Sequence, residues 1–325
     1  MRILFITANR LGDAVLSTGL LRWLGLRYPQ ADITLVCGPL PAPLLAQAPR
    51  VRKVIPLSKQ RHGKHWLALW RQVALSRWDL LVDLRHSPIA YSVLARRRYI
   101  HKPTDRATHK VAQLGSLFAL DPPPEPTLWF DIDVFQAAAR RVPPGGPVLA
   151  VAPAANWRAK VWRASHFAET VKRLTAPKGL LPGARVMVHG GPDEADQCSP
   201  VLAAIPHERR LDFVGAPMVE AAACLSRASL FIGNDSGLMH IAAAGGVPTL
   251  GLFGPTDDRL YAPWGQLTAV VRTPESIETL RNHPDFQQSF ERTLMDGLSV
   301  DAVVGAASQL WQRVIQTQQL TASAE

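Results

Sequence analysis

The sequence predicts an α/β protein built as two parallel-sheet domains in tandem, and three observations carry that expectation. The chain has 325 residues, 47% of them hydrophobic, which suits two domains of roughly 150 residues each better than a single core. Short apolar runs alternate with stretches of helical period along the whole chain, the rhythm of βαβ units. Near the middle, Pro143, Pro144, Gly145, Gly146 and Pro147 break that rhythm and read as a stiff, turn-prone hinge.

In order, "RILFIT" reads as a buried strand, Asp13 to Tyr28 as a helix closed by Pro29, and "ADITLVCG" as the next strand. "DLLVDLR" (79–85) is another strand and "HKVAQLGSLFAL" (109–120) a helix. After the hinge come the strand "VLAVAP", a helix around Ser165 to Leu174, the strand "ARVMVHGG" and a helix from Asp193. "LDFVG", a helix around Val219 to Arg227, "SLFIGN", a helix from Gly237 and the strand "PTLGLFG" complete the second set. The domains are therefore expected at 1–145 and 146–325, with a final helix at about 299–317 placed to pack back on the first domain and a frayed end at 318–325. Parallel sheets in tandem put a cleft between their carboxyl ends.

Cys37, Cys198 and Cys224 are scattered, with no CxxC pair and no Cys/His cluster at metal-ligand spacing, so reduced core thiols are expected. Asn9, Arg10 and Asp13 interrupt the apolar start before a signal-peptide core forms, and no run is long enough for a membrane span. A cytoplasmic protein is the expectation. The net charge of +10 is concentrated: Arg50 to Lys110 holds fifteen Lys and Arg against Asp79, Asp83 and Asp105. That segment calls for an anionic partner, whether nucleic acid, acidic membrane or charged substrate.

Four stretches carry chemistry. In "FIGNDSGLMHIAAAGGVPTLGLFGPTD" (231–257), polar Asn234, Asp235, Ser236 and His240 interrupt a buried strand, helix and strand. Asp235, Ser236 and Gly237 stand where strand turns into helix, a place suited to phosphate, although a capping role for Asp235 or Ser236 explains them equally well. His240 follows one turn later. In "LFITANRLGDAVLST", Asp13 in the first turn of a helix is either a cap or a general base, and the lack of GxGxxG disfavours a dinucleotide. "APAANWRAKVW" brings Lys160 to a strand end, where it is either a solvated charge or a partner for a leaving diphosphate. "VMVHGGPDE" does the same for Glu194, as first-turn charge or as a ribose contact.

These stretches, in this order, resemble glycosyltransferase family 9, the bacterial lipopolysaccharide heptosyltransferases, over most of the chain. "LGD" (11–13), "PAANWRAKVW", "HGGPDE" and above all "GNDSGLMHIAAAGGVPTLGLFGPTD" carry the resemblance. It implies two Rossmann-like domains with parallel sheets facing across a cleft (GT-B), the first taking the acceptor and the second the nucleotide sugar. It implies heptose transfer from ADP-heptose with inversion, with no metal and no cofactor. Asp13 then matches the catalytic base and Lys160 the phosphate-contacting lysine, while Glu194, Asp235, Ser236, Gly237 and His240 match donor-binding positions. His109 matches a helix-starting histidine of the acceptor domain. Arg85 stands where Gln is common, and Ala154 replaces a frequent glycine.

On that reading the basic segment meets a lipid-anchored anionic oligosaccharide at the inner face of the inner membrane. "KQRHGKHWLALWRQVALSRW" (59–78) sets Trp66, Leu69, Trp70 and Val73 on one helical face among Lys64, Arg71 and Arg77, a face fit either for an anionic leaflet or for ordinary packing. "ARRRYIHKPTDRATHK" (95–110), with Arg97, is the stronger candidate for acidic sugars or phosphates, beside Arg85 and His109. A monomer is expected. The rivals are a related enzyme using another nucleotide sugar, a catalytically dead sugar binder and a basic nucleic-acid-binding protein. No nucleic-acid-binding motif supports the last, so nucleic acid is not an expected partner.

Overall fold

The computed structural model describes residues 1–102, 107–286 and 292–322, and it divides the chain into two compact units, Met1–Asp131 and Ile132–Glu325. In the first unit β1 (Arg2–Ile6), β2 (Asp32–Cys37), β3 (Val51–Pro56), β4 (Trp78–Asp83) and β5 (Ala95–Ile100) form a parallel sheet in the order β3-β2-β1-β4-β5. The central β1 is covered on both faces, which is why it reads as an unbroken apolar run. Ile3 and Phe5 pack with Leu20, Leu21 and Leu24, while Leu4 and Ile6 pack on the other side with Leu69 and Val73.

The helix expected over Asp13–Tyr28 is two helices, Leu11–Leu16 and Thr18–Arg27. Ser17 interrupts them, because its hydroxyl bonds the Ala14 carbonyl (2.7 Å) and the Thr7 hydroxyl (2.8 Å) and so competes with the helical ladder. The second of these contacts fixes the helix pair to the end of β1.

The second unit contains β6 (Val148–Ala152), β7 (Arg185–Gly190), β8 (Arg210–Val214), β9 (Leu230–Asn234), β10 (Thr249–Phe253) and β11 (Thr268–Arg272), all parallel, in the order β11-β10-β9-β6-β7-β8. Both sheets reverse their winding at the first strand, between β1 and β4 and between β6 and β9. In open α/β sheets the crevice at such a reversal, outside the carboxyl ends, is where ligands bind.

Two boundaries differ from the sequence expectation. The division falls between Asp131 and Ile132, ahead of the Pro143–Pro147 run, because helix Ile132–Arg141 packs on helix Met218–Leu225. There Arg141 pairs with Glu220 and lies 4.4 Å over the Phe213 ring. The proline and glycine run is thus an internal turn leading into β6. The final helix runs Val300–Ala322, so residues 318–322 are helical and not frayed, while 323–325 lie outside the described residues. It packs on helix Ala164–Thr175, β10 and β11 of its own unit, burying Val303, Ala307, Leu310 and Val314 at helical spacing. Among the described residues no helix is long and apolar enough to cross a membrane.

Candidate functional site

In the first unit the crevice residues follow β1 and β4. Gly38, after β2, crosses so close to the β1 loop that an added Cβ would lie 2.3 Å from the Asn9 carbonyl oxygen, so only glycine fits. Asn9 donates to the Leu57 carbonyl (3.0 Å) and accepts from the Arg85 guanidinium (2.8 Å). These contacts fix the loop that delivers Asp13. The cap of helix Leu11–Leu16 is Arg10, so Asp13 stands in the first turn and not at the cap position itself.

Two groups that sequence reasoning did not single out stand in line with Asp13, Lys110 near its carboxylate and His101 against Lys110. The Lys110 ammonium donates to Nε2 of buried His101 at 2.8 Å. Burial, and then the Lys110 charge, push the His101 pKa down to about 4, so the ring is neutral and accepts. Burial also lowers Lys110, and the nearby Asp13 carboxylate opposes that drop. Lys110 thus links the carboxylate to a neutral histidine. Nothing local in "YIHK" or "THKV" signals this, since it depends on β5 and the following helix returning to the β1 loop.

The three residues predicted to face an acceptor have separate placements. Arg85, held by Asn9, also lies 4.8 Å over the Trp66 ring, and burial lowers its pKa against the opposing charge of Asp83. His109 caps helix Lys110–Ser116, its Nδ1 accepting from the Val111 amide at 3.2 Å. Arg97 is exposed on β5, and no ion pair engages it among the described residues. Its neighbours are committed to structure: Arg98 donates to the carbonyls of Ala90, Val93 and Ala95, and Arg96 pairs with Asp79 at 3.7 Å. Residues 103–106 of the expected basic segment lie outside the described residues.

In the second unit the predicted donor residues gather at the ends of three adjacent strands, β9, β6 and β7. Asn234, the buried last residue of β9, donates to the Pro153 carbonyl (2.7 Å) and accepts from the Trp162 amide (3.0 Å). It therefore clamps both ends of the loop that carries Lys160. The far side is braced by Leu294 donating to the Ala159 carbonyl (2.9 Å) and by the Trp162 indole donating to the Leu298 carbonyl (2.8 Å). Lys160, so held, sits half-buried with its ammonium 3.4 Å from the Asp235 carboxylate.

Helix Gly237–Ala244 begins at Ser236 with no side-chain cap, and the buried Ser236 hydroxyl has no hydrogen-bond partner. The capping role open for Ser236 is therefore not the one it plays. Buried His240 lies one turn in. Glu194 folds back so that one carboxylate oxygen accepts from the Gly191 amide at 2.7 Å, which satisfies the turn after β7. Gly190 is required there, as a Cβ would come within 2.5 Å of the Cys198 sulfur.

The arrangement can bind a dianion. An ammonium, an uncapped helix N-terminus and a loose hydroxyl converge at the winding reversal, where helix N–H groups favour phosphate. An open depression of about 740 Å³ in the same unit lies on the Trp162 side of the Lys160 loop, lined by Arg158, Gln197, Glu275 and His283 among others. None of the predicted donor residues lines it. Among the described residues no group of three or more His, Cys, Asp or Glu is placed to hold a metal.

Comparison with known proteins shows the family and the fold. Residues 81–288 match the model of glycosyltransferase family 9 (heptosyltransferase), a span that holds Lys160, Glu194 and the 234–240 segment and begins after Asp13. Lipopolysaccharide heptosyltransferase 2 of Salmonella typhimurium is 26% identical over 91% of this chain and 94% of its own length. The structure of E. coli ADP-heptose lps heptosyltransferase II superposes with a TM-score of 0.72 at 21% identity, covering 96% of this chain and 99% of that one. E. coli heptosyltransferase WaaC with ADP gives 0.71 at 18% identity, covering 95% and 100%. The two parallel-sheet units are those of that fold.

Proposed function

The chain belongs to glycosyltransferase family 9, and from that premise we propose that it moves a heptose from ADP-heptose to a lipopolysaccharide inner-core acceptor, with inversion and without a metal. The observation that carries this reading is the donor end: Lys160 clamped by Asn234 beside Asp235 and the uncapped start of helix Gly237–Ala244. Relatives described with ADP and as lipopolysaccharide heptosyltransferases support ADP-heptose as the donor.

Asp13 takes the proton from the acceptor hydroxyl as that oxygen attacks the anomeric carbon from the face opposite the nucleotide. The Lys110 ammonium favours the charged carboxylate before the proton arrives. A single displacement inverts the configuration. The bond to the departing diphosphate breaks, and charge grows on its oxygen. The Lys160 ammonium and the N–H groups at Ser236 and Gly237 meet that charge, the task a metal performs in other sites. The Glu194 oxygen not engaged by Gly191 takes a ribose hydroxyl, and Arg85, Arg97 and His109 face the anionic acceptor. The protein works as a monomer on the cytoplasmic face of the inner membrane, without bound cofactor or nucleic acid.

The test is release of ADP from ADP-heptose in the presence of a lipopolysaccharide-core acceptor, with other nucleotide sugars as controls. Lys160→Ala combined with Ser236→Ala is expected to weaken ADP and ADP-heptose binding by calorimetry. Unchanged affinity for both places the donor elsewhere, and faster turnover of another nucleotide sugar reassigns the donor.

A further inference from the structure

Helix Lys64–Val73 is apolar on two sides. One side is used: His65, Leu69 and Val73 are buried against the first unit's sheet. Of the two tryptophans that the sequence places with them, Trp66 is half-buried and packs against that cluster, whereas Trp70 does not. Trp66 turns to Arg85, and Trp70 is 41% exposed, its indole donating to the Ser92 carbonyl at 3.2 Å. The opposite side carries Leu67, 52% exposed, between Lys64 and Arg71.

The exposed apolar surface continues across a second element. Short helix Ile89–Ser92 packs beside the first, joined by the Trp70–Ser92 bond, and the Trp78 amide donates to the Leu94 carbonyl at 2.9 Å. Leu75 (99% exposed), just past the first helix, and Tyr91 (62%) and Leu94 (65%), within and just past the second, extend the exposed apolar surface of these joined elements. Single exposed apolar residues are ordinary, but several on adjoining elements mark a contact surface. The exposed charges on these elements and the segments flanking them are basic: Lys59, Arg61, Lys64, Arg71, Arg77 and Arg97 are exposed, whereas Asp83 is buried under bonds from Arg85 and Ser87, and Asp79 is engaged by Arg2 and Arg96.

We infer that this face docks on an anionic phospholipid surface, with Leu67, Leu75 and Leu94 entering the acyl boundary and the Lys and Arg side chains at the headgroups. The inference deepens the inner-membrane reading above and rests on it. Charge complementarity selects the occupant: an apolar patch flanked by cations and short of free carboxylates matches lipid phosphates. Trp70 and Tyr91, apolar rings with polar tips, suit the interface between the two zones.

The experiment pellets the full chain with vesicles of phosphatidylcholine alone or mixed with phosphatidylglycerol. Wild type is expected to partition onto the mixed vesicles. Leu67→Ser/Leu75→Ser/Leu94→Ser should lower that partition by about tenfold or more, since each loses its acyl contact. Its melting temperature and its transfer to a soluble acceptor should not change. Leu75→Ser alone, at a site with nothing to unpack, should lower partition in the same direction. Arg71→Gln/Arg77→Gln should weaken binding chiefly at low salt. A triple variant that pellets as well as wild type overturns insertion and leaves charge alone. Wild type that pellets with neither vesicle overturns the membrane reading itself. A wild-type dimer that the triple variant disperses, indifferent to vesicles, makes the face a self-contact and overturns the inference as well.

Discussion

Asn234→Ala is expected to cost stability and donor affinity together, although Asn234 touches no substrate in the proposed mechanism. The side chain is fully buried and makes two hydrogen bonds, to the Pro153 carbonyl and from the Trp162 amide. Truncation leaves both backbone groups buried and unpaired, at about 1–3 kcal/mol each, so the loss should be roughly 2–6 kcal/mol. The same loop carries Lys160, whose charge-assisted contact with a diphosphate is worth about 1.5–3 kcal/mol, or roughly 10- to 100-fold in affinity. Asn234→Asp keeps the acceptor for Trp162 but turns an oxygen on the Pro153 carbonyl and buries a charge, so it should be no better than alanine. Urea denaturation gives the first quantity, and calorimetric titration of ADP into the still-folded variant gives the second. Stability within about 1 kcal/mol of wild type would show that the clamp is idle. A full loss of stability with unchanged ADP affinity would separate the clamp from Lys160 positioning and refute the coupling.

Three further outcomes are expected. Asp13→Asn should lower turnover by roughly 10²- to 10⁴-fold while ADP affinity stays the same, and near-normal turnover in a folded variant returns Asp13 to a first-turn charge. Glu194→Gln retains an acceptor for the Gly191 amide, so melting should hold while ADP affinity falls; equal affinity confines Glu194 to its turn. Burial depresses His101 to about 4 and His189 to about 3 from 6.5, so the folded state takes up fewer protons than the unfolded chain below about 6.5. Stability should therefore be complete above about pH 6.5 and fall as pH drops, with His101→Asn flattening part of the slope above about pH 5, where carboxylates are still ionised. An unchanged slope in that variant's urea midpoints refutes the assignment.

Much of the fold was legible because buried parallel strands write themselves as apolar runs, and β1, β6, β9 and β10 do. The strands not read from sequence are β3 ("VRKVIP"), β5 ("ARRRYI") and β11 ("TAVVR"), all at sheet edges. An edge strand buries little, so it tolerates charge and loses the apolar signature. The proline and glycine run misled the boundary for a related reason. It signals a turn, but nothing local says that helix Ile132–Arg141, ahead of the run, already packs on helix Met218–Leu225 of the second unit. At the site, the residues after β1, β6, β7 and β9 were legible from their strand-turn-helix setting. The pairings that hold them were not, because Asn9 with Arg85 and Asn234 with Trp162 are separated by 76 and 72 positions.

The two sheets solve the same problem in the same place, and that bears on what a polar residue at a strand end means. β4 and β9 each flank the first strand of their sheet at the winding reversal, and each ends in a buried polar residue, Asp83 and Asn234. Asp83 accepts from the Arg85 amide (2.8 Å), the Ser87 amide (2.7 Å) and the Ser87 hydroxyl (2.6 Å). Asn234 binds Pro153 and Trp162. Neither has capacity left that the geometry directs to a ligand; each spends its hydrogen bonds on the backbone of a loop. The predicted site residues come within a few positions: Arg85 two after Asp83, and Asp235 and Ser236 directly after Asn234. A carboxylate or amide inside an apolar run at such a reversal therefore marks the holder of a loop, and the proposed chemistry falls to the residues that the loop presents. Sequence alone merges the two classes, because both are polar residues in the same motif, and only hydrogen-bond accounting separates them.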